Sequence, residues 1–340
     1  MKVVARTDVM THEEWLEARS KGLGGSDAGT ILGTNPYKGR LELWLERTGR
    51  ITNTFQGNEA TSLGSAFERP IAEIYAKRIA SEGLAVVAWP VLLQGKYDFQ
   101  LANVDFLLVH APDYNPYDFE LGKVNDYFGD ERPVGTRAIL EIKTTGLSGR
   151  GNSAAWANDS VPASYRAQGC HYASVTGISK VHFVCLIGGQ GIVERIVRYT
   201  ADELQTLEQA ENVFWQQIHS DIEPEATEND LDALKALYPE STEQVVEADE
   251  IVLGLYREYK VQKQIADDAE ADLKRLRAQI EQVIGSAQAV TFDGEILYTY
   301  KSNKATETFD SKAFKEAHPD LAAQFTKAKA GARVLRLVAE

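Results

Sequence analysis

Apolar residues in the first eighty positions recur every three or four residues, which is the spacing of helices that bury one face. The run Thr11-His-Glu-Glu14 has the pattern of a capping box and predicts the start of a helix. After a glycine-rich turn, Ser26 is predicted to cap a short helix that ends at Gly33. Two further helices are predicted, one that ends at Gly49 and a longer one over 62–80.

The middle of the chain changes to runs of branched apolar residues between turn residues, which is typical of β-strands. A helix is predicted between the third and fourth of these strands, over 164–176. Helices before and between strands indicate an α/β fold with a mixed central β-sheet flanked by helices. Residues 112–133 lack a clear period and are expected to form a surface insertion. The predicted strands are 84–93, 98–109, 137–144, 180–187 and 191–198.

The last third of the chain differs in composition from the rest. A helix over 202–219 is followed by an acidic linker, so we expect one domain over 1–222 and an extension over 223–340. A seven-residue repeat in the extension predicts one long helix, and a hairpin turning at Asp293-Gly294 and a final helix and strand follow it. The middle of the repeat is poorly hydrophobic, which favours close packing against a neighbouring helix over a strong coiled coil. The repeat positions, called the seam below, are Val252, Leu255, Tyr259, Gln262, Ala266, Ala269, Leu273, Leu276, Ile280 and Val283.

Charge and composition narrow the class of protein. The 340 residues carry a net charge of −14, whereas non-specific DNA affinity comes mostly from Lys and Arg contacts to phosphates. Net charge sets solubility and long-range steering, however, so a local basic patch on an acidic protein remains compatible with a nucleic-acid partner. The sequence has no apolar run of membrane-spanning length, no signal-peptide core at its start, and only Cys170 and Cys185. We therefore expect a soluble cytoplasmic protein without a disulfide framework.

Candidate chemistry lies in the predicted strand that contains Glu141-Ile-Lys143. In a strand, Glu141 and Lys143 project from one face about 7 Å apart, and Asp105 precedes them on another strand. Two carboxylates and an ammonium can hold a divalent metal beside a phosphate, with the backbone carbonyl of Ile142 as a third candidate ligand. Glu-x-Lys on an exposed strand is more often a solvated ion pair, but apolar neighbours on both faces indicate a buried strand. From these residues alone, both interpretations stay open.

Six blocks occur in a fixed order between about residues 11 and 200. They are Arg19-x6-Ser26, Ile31-Leu-Gly-Thr-Asn-Pro-Tyr37 with Leu41-Glu-Leu-Trp44, Gly64-Ser-Ala-Phe-Glu68, Asn103-Val-Asp105, Glu141-Ile-Lys143-Thr-Thr and Tyr165-Arg-Ala-Gln168-Gly-Cys-His-Tyr172. In this order they resemble the PD-(D/E)xK nucleases and, more narrowly, the YqaJ-like, lambda-exonuclease-like phage recombination nucleases. The resemblance implies a restriction-endonuclease-like core. The usual Pro-Asp of that family is Val104-Asp105 here, which leaves the carboxylate intact.

The resemblance implies a role for each polar residue of the catalytic blocks. Glu68, Asp105 and Glu141 are expected to bind metal, and Lys143 is expected to be the catalytic lysine. Gln168 is expected to touch the scissile phosphate or the nucleophile. The implied cofactor is Mg²⁺, as two ions, with Mn²⁺ as a substitute.

The resemblance also implies contacts to the DNA. Arg19 and Ser26 are expected to bind a terminal 5′-phosphate, together with a glycine-rich helix start that suits an anion. Gln168 and Tyr172 share one helix face and are expected to lie against the DNA.

The activity implied by the resemblance is a Mg²⁺-dependent exonuclease that degrades linear duplex DNA from its 5′ ends and leaves 3′ single-stranded tails for phage-type recombination. A ring-shaped homotrimer, a single-strand annealing protein as partner and a location in the bacterial host cytoplasm are implied with it. Two alternatives stay open: an endonuclease or single-strand nuclease on the same core, and a catalytically silent DNA-binding assembly factor. A related iron–sulfur nuclease is excluded, because two cysteines cannot bind a four-cysteine cluster. The extension 223–340 lies outside the resemblance and is expected to brace the fold, mediate oligomerisation or dock a partner.

Overall fold

The fold contains a six-stranded mixed β-sheet. The computed structural model describes residues 1–52, 57–111, 119–146, 153–327, 331 and 333–338. The chain divides into two units, Met1–Tyr238 and Pro239–Glu340. The expected boundary after residue 222 precedes the observed one, because Asp230 and Ala233 pack within the first unit.

The central sheet of the first unit has the strand order β6-β2-β5-β7-β8-β9. The pairs β2–β6 and β7–β8 are parallel, and the other neighbours are antiparallel. A smaller antiparallel sheet consists of β1, β3 and β4. The strands are β1 (Lys2–Arg6), β2 (Leu84–Ala88), β3 (Val91–Gln94), β4 (Leu101–Ala102), β5 (Phe106–His110), β6 (Val124–Asp126), β7 (Thr136–Thr145), β8 (Lys180–Ile187) and β9 (Gly191–Arg198).

Helices cover both faces of the central sheet, so the predicted mixed α/β architecture is confirmed. On one face, α4 packs Ile71, Tyr75 and Ile79 against apolar residues of the sheet. On the other face lie α2 and α5, together with the buried free thiols Cys170 and Cys185. The helices are α1 (His12–Ser20), α2 (Gly25–Ile31), α3 (Arg40–Arg47), α4 (Glu59–Ile79), α5 (Ala163–Thr176), α6 (Ala201–His219) and α7 (Leu231–Leu237).

Two predicted strands each divide between the two sheets. The prediction over 84–93 breaks into β2 and β3 at Pro90, which has no N–H to donate to a strand ladder. The strand predicted over 98–109 is divided into β4 and β5. Between them, side chains instead of the backbone form hydrogen bonds with backbone groups of neighbouring segments. Asn103 Nδ2 donates to the carbonyl of Val91 at 3.0 Å, and Asp105 Oδ2 accepts from the N–H of Ile142 at 2.9 Å.

The expected surface insertion over 112–133 is only partly correct. Val124–Asp126 forms β6, which adds a parallel strand to the edge of the central sheet. The indole N–H of Trp89 donates to the carbonyl of Gly129 at 2.9 Å, so the segment also packs on the body of the unit. A three-residue edge strand is too short to produce a visible period, and residues 112–118 lie outside the described residues.

Helix α4 (Glu59–Ile79) confirms the prediction over 62–80, but several of the apolar residues whose spacing predicts it are not buried. Leu63, Phe67 and Ile74 are exposed, while Ala72, Tyr75 and Ala76 are buried. Small alanines let the helix approach the sheet closely, and the apolar residues of its first turns do not reach the sheet.

The second unit contains the predicted long helix and hairpin. The hairpin turns at Asp293 and Gly294, both with positive φ, as a two-residue turn requires. The expected final strand is not found in the described residues beyond 324, and two short helices stand in place of one. Its elements are α8 (Glu250–Ile284), β10 (Ala289–Phe292), β11 (Glu295–Thr299), α9 (Ser311–Ala317) and α10 (Pro319–Gln324). Across the described part of the chain, no helix has the length and apolar character needed to cross a membrane.

A fully buried polar network fixes α5 to α6 and to β4. His171 Nδ1 donates to Glu211 at 2.6 Å, and its Nε2 donates to the carbonyl of Leu101 at 2.9 Å. Because both ring nitrogens face acceptors, the ring is an imidazolium ion. Burial alone lowers the pKa of His171, but the Glu211 carboxylate more than offsets this, so the pKa is raised. Gln100 completes the network by donating to the second oxygen of Glu211 at 2.9 Å.

Replacing Glu211 with glutamine is expected to destabilise the protein by about 2–4 kcal/mol at pH 6, because a buried cation loses its counter-charge. The pKa of His171 is higher in the folded protein than its unfolded-state value of about 6.5, so protonation stabilises the fold at pH values below 6.5. This stabilisation is lost as the pH rises through the folded-state pKa. The difference between wild type and Glu211→Gln should therefore shrink toward pH 9. Denaturant unfolding across this pH range measures it.

Glu208→Gln is the matched control, since Glu208 lies one turn away on α6 and accepts from Ser174 at 2.8 Å on the rim of the network. This variant should lose less than about 1 kcal/mol. An equal loss in both variants, or a difference that does not change with pH, would show that the ion pair has no special role.

Candidate active site

The register between β5 and β7 brings the two predicted strand carboxylates together. Phe106 pairs with Leu140, so Asp105, the residue before β5, lies beside the backbone of Glu141 and Ile142. The 2.9 Å hydrogen bond from the N–H of Ile142 to Asp105 fixes this position. Strand β7 is itself flanked by β5 and β8, which confirms the predicted buried strand.

Glu141 is a carboxylate with 0% exposure in the middle of the sheet. Its Oε1 accepts from Lys143 Nζ at 2.6 Å and from Gln168 Nε2 at 2.8 Å. Within the described structure its Oε2 is buried and has no hydrogen-bond partner. An unpaired buried carboxylate oxygen costs free energy, so this position favours a further cation.

Lys143 shares the face of β7 with Glu141, as strand alternation requires. Burial alone lowers the pKa of Lys143, but the carboxylates of Glu141 and Asp105 raise it above its ordinary value. The ammonium therefore stays charged. Its Nζ also lies 4.9 Å from the centre of the Tyr165 ring, which is a cation–π contact.

Tyr165 stands in the sequence block around Gln168 but was given no role by sequence reasoning. It lies three residues before Gln168 on α5, so the two side chains share one side of the helix. That spacing is the sequence signal from which a position of Tyr165 beside Lys143 could have been predicted.

Burial raises the pKa values of the three acidic residues, and for Glu68 and Glu141 the charge of Asp105 adds to this. Burial, and then the charge of Asp105, raises the pKa of Glu141 to about 8 and that of Glu68 to about 7. Burial also raises the pKa of Asp105. In the metal-free site the cluster therefore holds protons near neutral pH, which is the expected behaviour of crowded carboxylates without a compensating cation.

The three carboxylates fit a hard divalent cation by their chemistry, since Mg²⁺ and Mn²⁺ prefer oxygen ligands. As the described residues stand, no group of three His, Cys, Asp or Glu side chains is close enough to hold a metal ion. Lys143 and Gln168 occupy Oε1 of Glu141. The Oε2 of Glu141, which has no hydrogen-bond partner among the described residues, is the atom of this cluster that most favours a bound cation.

Arg19 and Ser26, predicted as a pair, are in contact. The guanidinium of Arg19 donates to Ser26 Oγ at 3.0 Å and lies 4.7 Å from the centre of the Trp15 ring. The predicted role of Ser26 as a helix cap is wrong, because Gly24 is the cap and its N–H donates to Asp27 Oδ2 at 2.9 Å. The Ser26 hydroxyl therefore caps no helix, and it accepts a hydrogen bond from Arg19.

Helix α5 approaches the start of α2 closely through a glycine. A Cβ on Gly25 would lie 2.5 Å from the Tyr172 ring, so no larger residue fits there without displacing the ring. The Tyr172 hydroxyl in turn accepts from Gln168 Nε2 at 2.9 Å. One chain of contacts therefore runs from the Arg19–Ser26 pair to Glu141.

A single cavity of about 330 Å³ contains both groups. Trp15, Ser65 and Asn103 line it as well, and sequence reasoning gave none of them a role. The pattern offered one signal, since Trp15 lies one helical turn before Arg19. All predicted site residues line this cavity: Arg19, Ser26, Glu68, Asp105, Glu141, Ile142, Lys143, Gln168 and Tyr172.

Comparison with solved structures finds exonucleases at low similarity. An alkaline exonuclease (LHK-Exo) from Laribacter hongkongensis is 18% identical with a TM-score of 0.44, covering 62% of this chain and 94% of that one. A phage related exonuclease from Haemophilus somnus 129PT is 13% identical with a TM-score of 0.38, covering 59% of this chain and 96% of that one.

Sequence comparison is more extensive. The uncharacterized protein YqaJ of Bacillus subtilis (strain 168) is 28% identical over 326 residues, which covers 94% of this chain and 92% of that protein. The family model of the YqaJ-like viral recombinase domain matches residues 14–179, a range that includes every predicted site residue. The resemblance stated from the sequence blocks is thus confirmed, because residues 14–179 of this chain are similar to the YqaJ-like viral recombinase domain.

Proposed function

We propose that this protein is a metal-dependent exonuclease that degrades the 5′-ended strand of linear duplex DNA and leaves 3′ single-stranded tails for phage-type recombination. The observation that supports it is one cavity that contains an acidic cluster with a buried lysine and, beside them, an arginine–serine pair. The first group suits phosphodiester hydrolysis and the second suits a terminal phosphate. A terminal-phosphate pocket is useful only at DNA ends, which favours exonuclease over endonuclease action.

Glu68, Asp105, Glu141 and the carbonyl of Ile142 would hold Mg²⁺, as two ions, with Mn²⁺ as a substitute. When bound, the ions would supply an activated water and neutralise charge at the phosphorus. Lys143 places a compact positive charge beside the scissile phosphate and stabilises the charge that develops there. The ring of Tyr165 holds that ammonium in place.

Gln168 and Tyr172 position the phosphate from α5. The amide of Gln168 donates to Glu141 at 2.8 Å and would exchange this acceptor for a phosphate oxygen when DNA binds. The hydroxyl of Tyr172 fixes the amide orientation from the other side.

Arg19 and Ser26 bind the 5′-phosphate of the strand that is cut. The guanidinium presents several N–H donors to a phosphate, and the stacked Trp15 ring limits its movement. A phosphate held there fixes the register of the strand relative to the acidic cluster.

Assembly as a homotrimeric ring around the DNA and cooperation with a single-strand annealing protein in the host cytoplasm complete the proposal. A ring suits an acidic protein, because DNA then meets the local cations of the cavity and little of the surface with its net charge of −14. The silent assembly factor is disfavoured, because a DNA-binding role has no need of a buried lysine among three carboxylates.

With Mg²⁺, the protein is expected to digest linear 5′-phosphorylated duplex DNA and to spare covalently closed circles. Lys143→Ala should lower kcat by about 10²–10³-fold or more, because charge stabilisation at the phosphorus is lost. Gel assays on linear and circular DNA side by side measure both effects. Lys77→Ala on α4 is the control, with unchanged activity expected. Cleavage of closed circles would contradict the exonuclease proposal, and a fully active, folded Lys143→Ala protein would contradict the site.

Arg19→Ala should remove the preference for phosphorylated ends. Loss of a charge-assisted contact of about 1.5–3 kcal/mol lowers the rate on 5′-phosphate ends by roughly 10–100-fold. The rate on 5′-hydroxyl ends should change little. The measurement is the ratio of the two rates on otherwise identical duplexes, with Arg198→Ala as a control on the exposed strand β9. An unchanged ratio in Arg19→Ala would remove Arg19 from the phosphate pocket.

Metal binding is expected to strengthen as pH rises from 6 to 8.5. The raised pKa values of Glu68, about 7, and Glu141, about 8, mean that the metal-free cluster must lose protons to bind a cation. Each released proton lowers the apparent Kd by up to about tenfold per pH unit below its pKa. Calorimetric Mn²⁺ titration in two buffers of different ionisation enthalpy counts the protons. Binding without pH dependence or proton release would contradict the proposed ligands.

A further inference from the structure

Helix α8 is 35 residues long, and of its residues 250–284 only Ile284 is buried. Large apolar residues of the seam are exposed, including Leu255 at 61%, Leu273 at 67% and Val283 at 82%. A stable helix with an apolar stripe of this length normally buries the stripe against another element. We therefore interpret the seam as a surface that binds another helix.

We propose that α8 pairs in parallel, along this seam, with the same helix of a second copy of the chain. The seam residues alternate in steps of three and four, as the inner a and d positions of a coiled coil do. Ala266 and Ala269 in the middle carry small side chains, so two identical helices can approach closely there. This pairing does not depend on the activity of the first unit or on the trimeric ring proposed above.

The charges beside the seam match a parallel pairing. In such a pair, each g residue faces the e residue five positions later in the other copy. Glu258 then faces the partner's Lys263, and Asp272 faces the partner's Arg277, so opposite charges meet twice on each side of the interface. No two like charges meet at the remaining g–e positions, which pair Ile251 with Tyr256, Ile265 with Glu270, and Gln279 with Ile284.

The residues of these pairs are available to a partner. Lys263 contacts Asp267, and Arg277 contacts Glu281 at 2.6 Å, each within one turn of the same helix. Such exposed ion pairs contribute little to helix stability, so exchanging them for contacts between copies costs little.

The polar seam residue Gln262 favours the parallel over the antiparallel orientation. In an antiparallel pair that keeps the seam in contact, Gln262 faces Leu273 and its amide is buried without a partner. In a parallel pair it faces the partner's Gln262, and the two amides can bond to each other. A lone polar residue in a seam fixes orientation and register in this way.

Parallel pairing has a consequence for the first units of both copies. The segment 239–249 joins each first unit to the start of α8. At 3.3–3.6 Å per residue it reaches at most about 40 Å. Because parallel helices begin side by side, the first units are tethered within about twice that distance, which raises their effective concentration on one DNA molecule.

Light scattering after size exclusion tests the pairing on the full chain. The wild type should elute as a multimer of the 37.6 kDa chain at micromolar concentration. The double variant Leu255→Asp, Leu273→Asp should have a lower molar mass than the wild type, while its circular dichroism spectrum remains helical. A monomeric wild type, as expected if the seam instead packs on its own first unit, or an unchanged mass in the double variant, would overturn the proposal.

Charge exchange and cross-linking test the partner and the orientation. Glu258→Lys and Lys263→Glu should each weaken self-association roughly tenfold, and the two together should restore it. Lys260→Glu, which lies off the seam on the same helix, is the control and should have no effect. Leu255→Cys should form a disulfide between copies only if the helices are parallel. Absence of charge rescue or of the disulfide would overturn the parallel pairing.

Discussion

The buried carboxylate of Glu141 is the constraint on which the site depends. A charge with no solvent contact in the middle of a sheet must be compensated, and each neighbouring element contributes to this. Strand β7 itself supplies Lys143, and α5 supplies Gln168. The remaining unpaired oxygen is where a cation would complete the compensation. The fold and the proposed catalysis therefore depend on the same residues, because Lys143 and Gln168, which compensate the buried charge of Glu141, are also those that would contact a phosphate.

Much of this could be predicted from local patterns. The capping box at Thr11 was formed as expected, and Glu141 and Lys143 lie on one face of a buried strand, since both depend on residues close in sequence. What could not be predicted depends on partners far along the chain. The cap of α2 is Gly24 with Asp27, while Ser26 lies inside the helix and its hydroxyl accepts from Arg19 of another helix. Strand β6 exists only because β2 offers it an edge. The roles of the site residues were suggested by the order of six blocks, and no single block would have been specific.

The electrostatics of the cavity explain how so acidic a chain could engage DNA. Two cations line the cavity, Arg19 and Lys143, and each contacts a neighbouring side chain. The carboxylates that line the same cavity would repel a polyanion until metal ions offset their charge. DNA affinity of the proposed site would thus depend on metal loading, and the rest of the surface contributes little attraction.

The missing side chain of Gly25 has a mechanical consequence. Contact between α2 and the Tyr172 ring, with no space for a Cβ, joins the element that carries Ser26 to the helix that carries Gln168. Under the proposed function, the distance between the held end of the strand and the bond that is cut is then a built-in length. Such a protein would release a product of the same size at every cut, and helix packing would set that size independently of the base sequence.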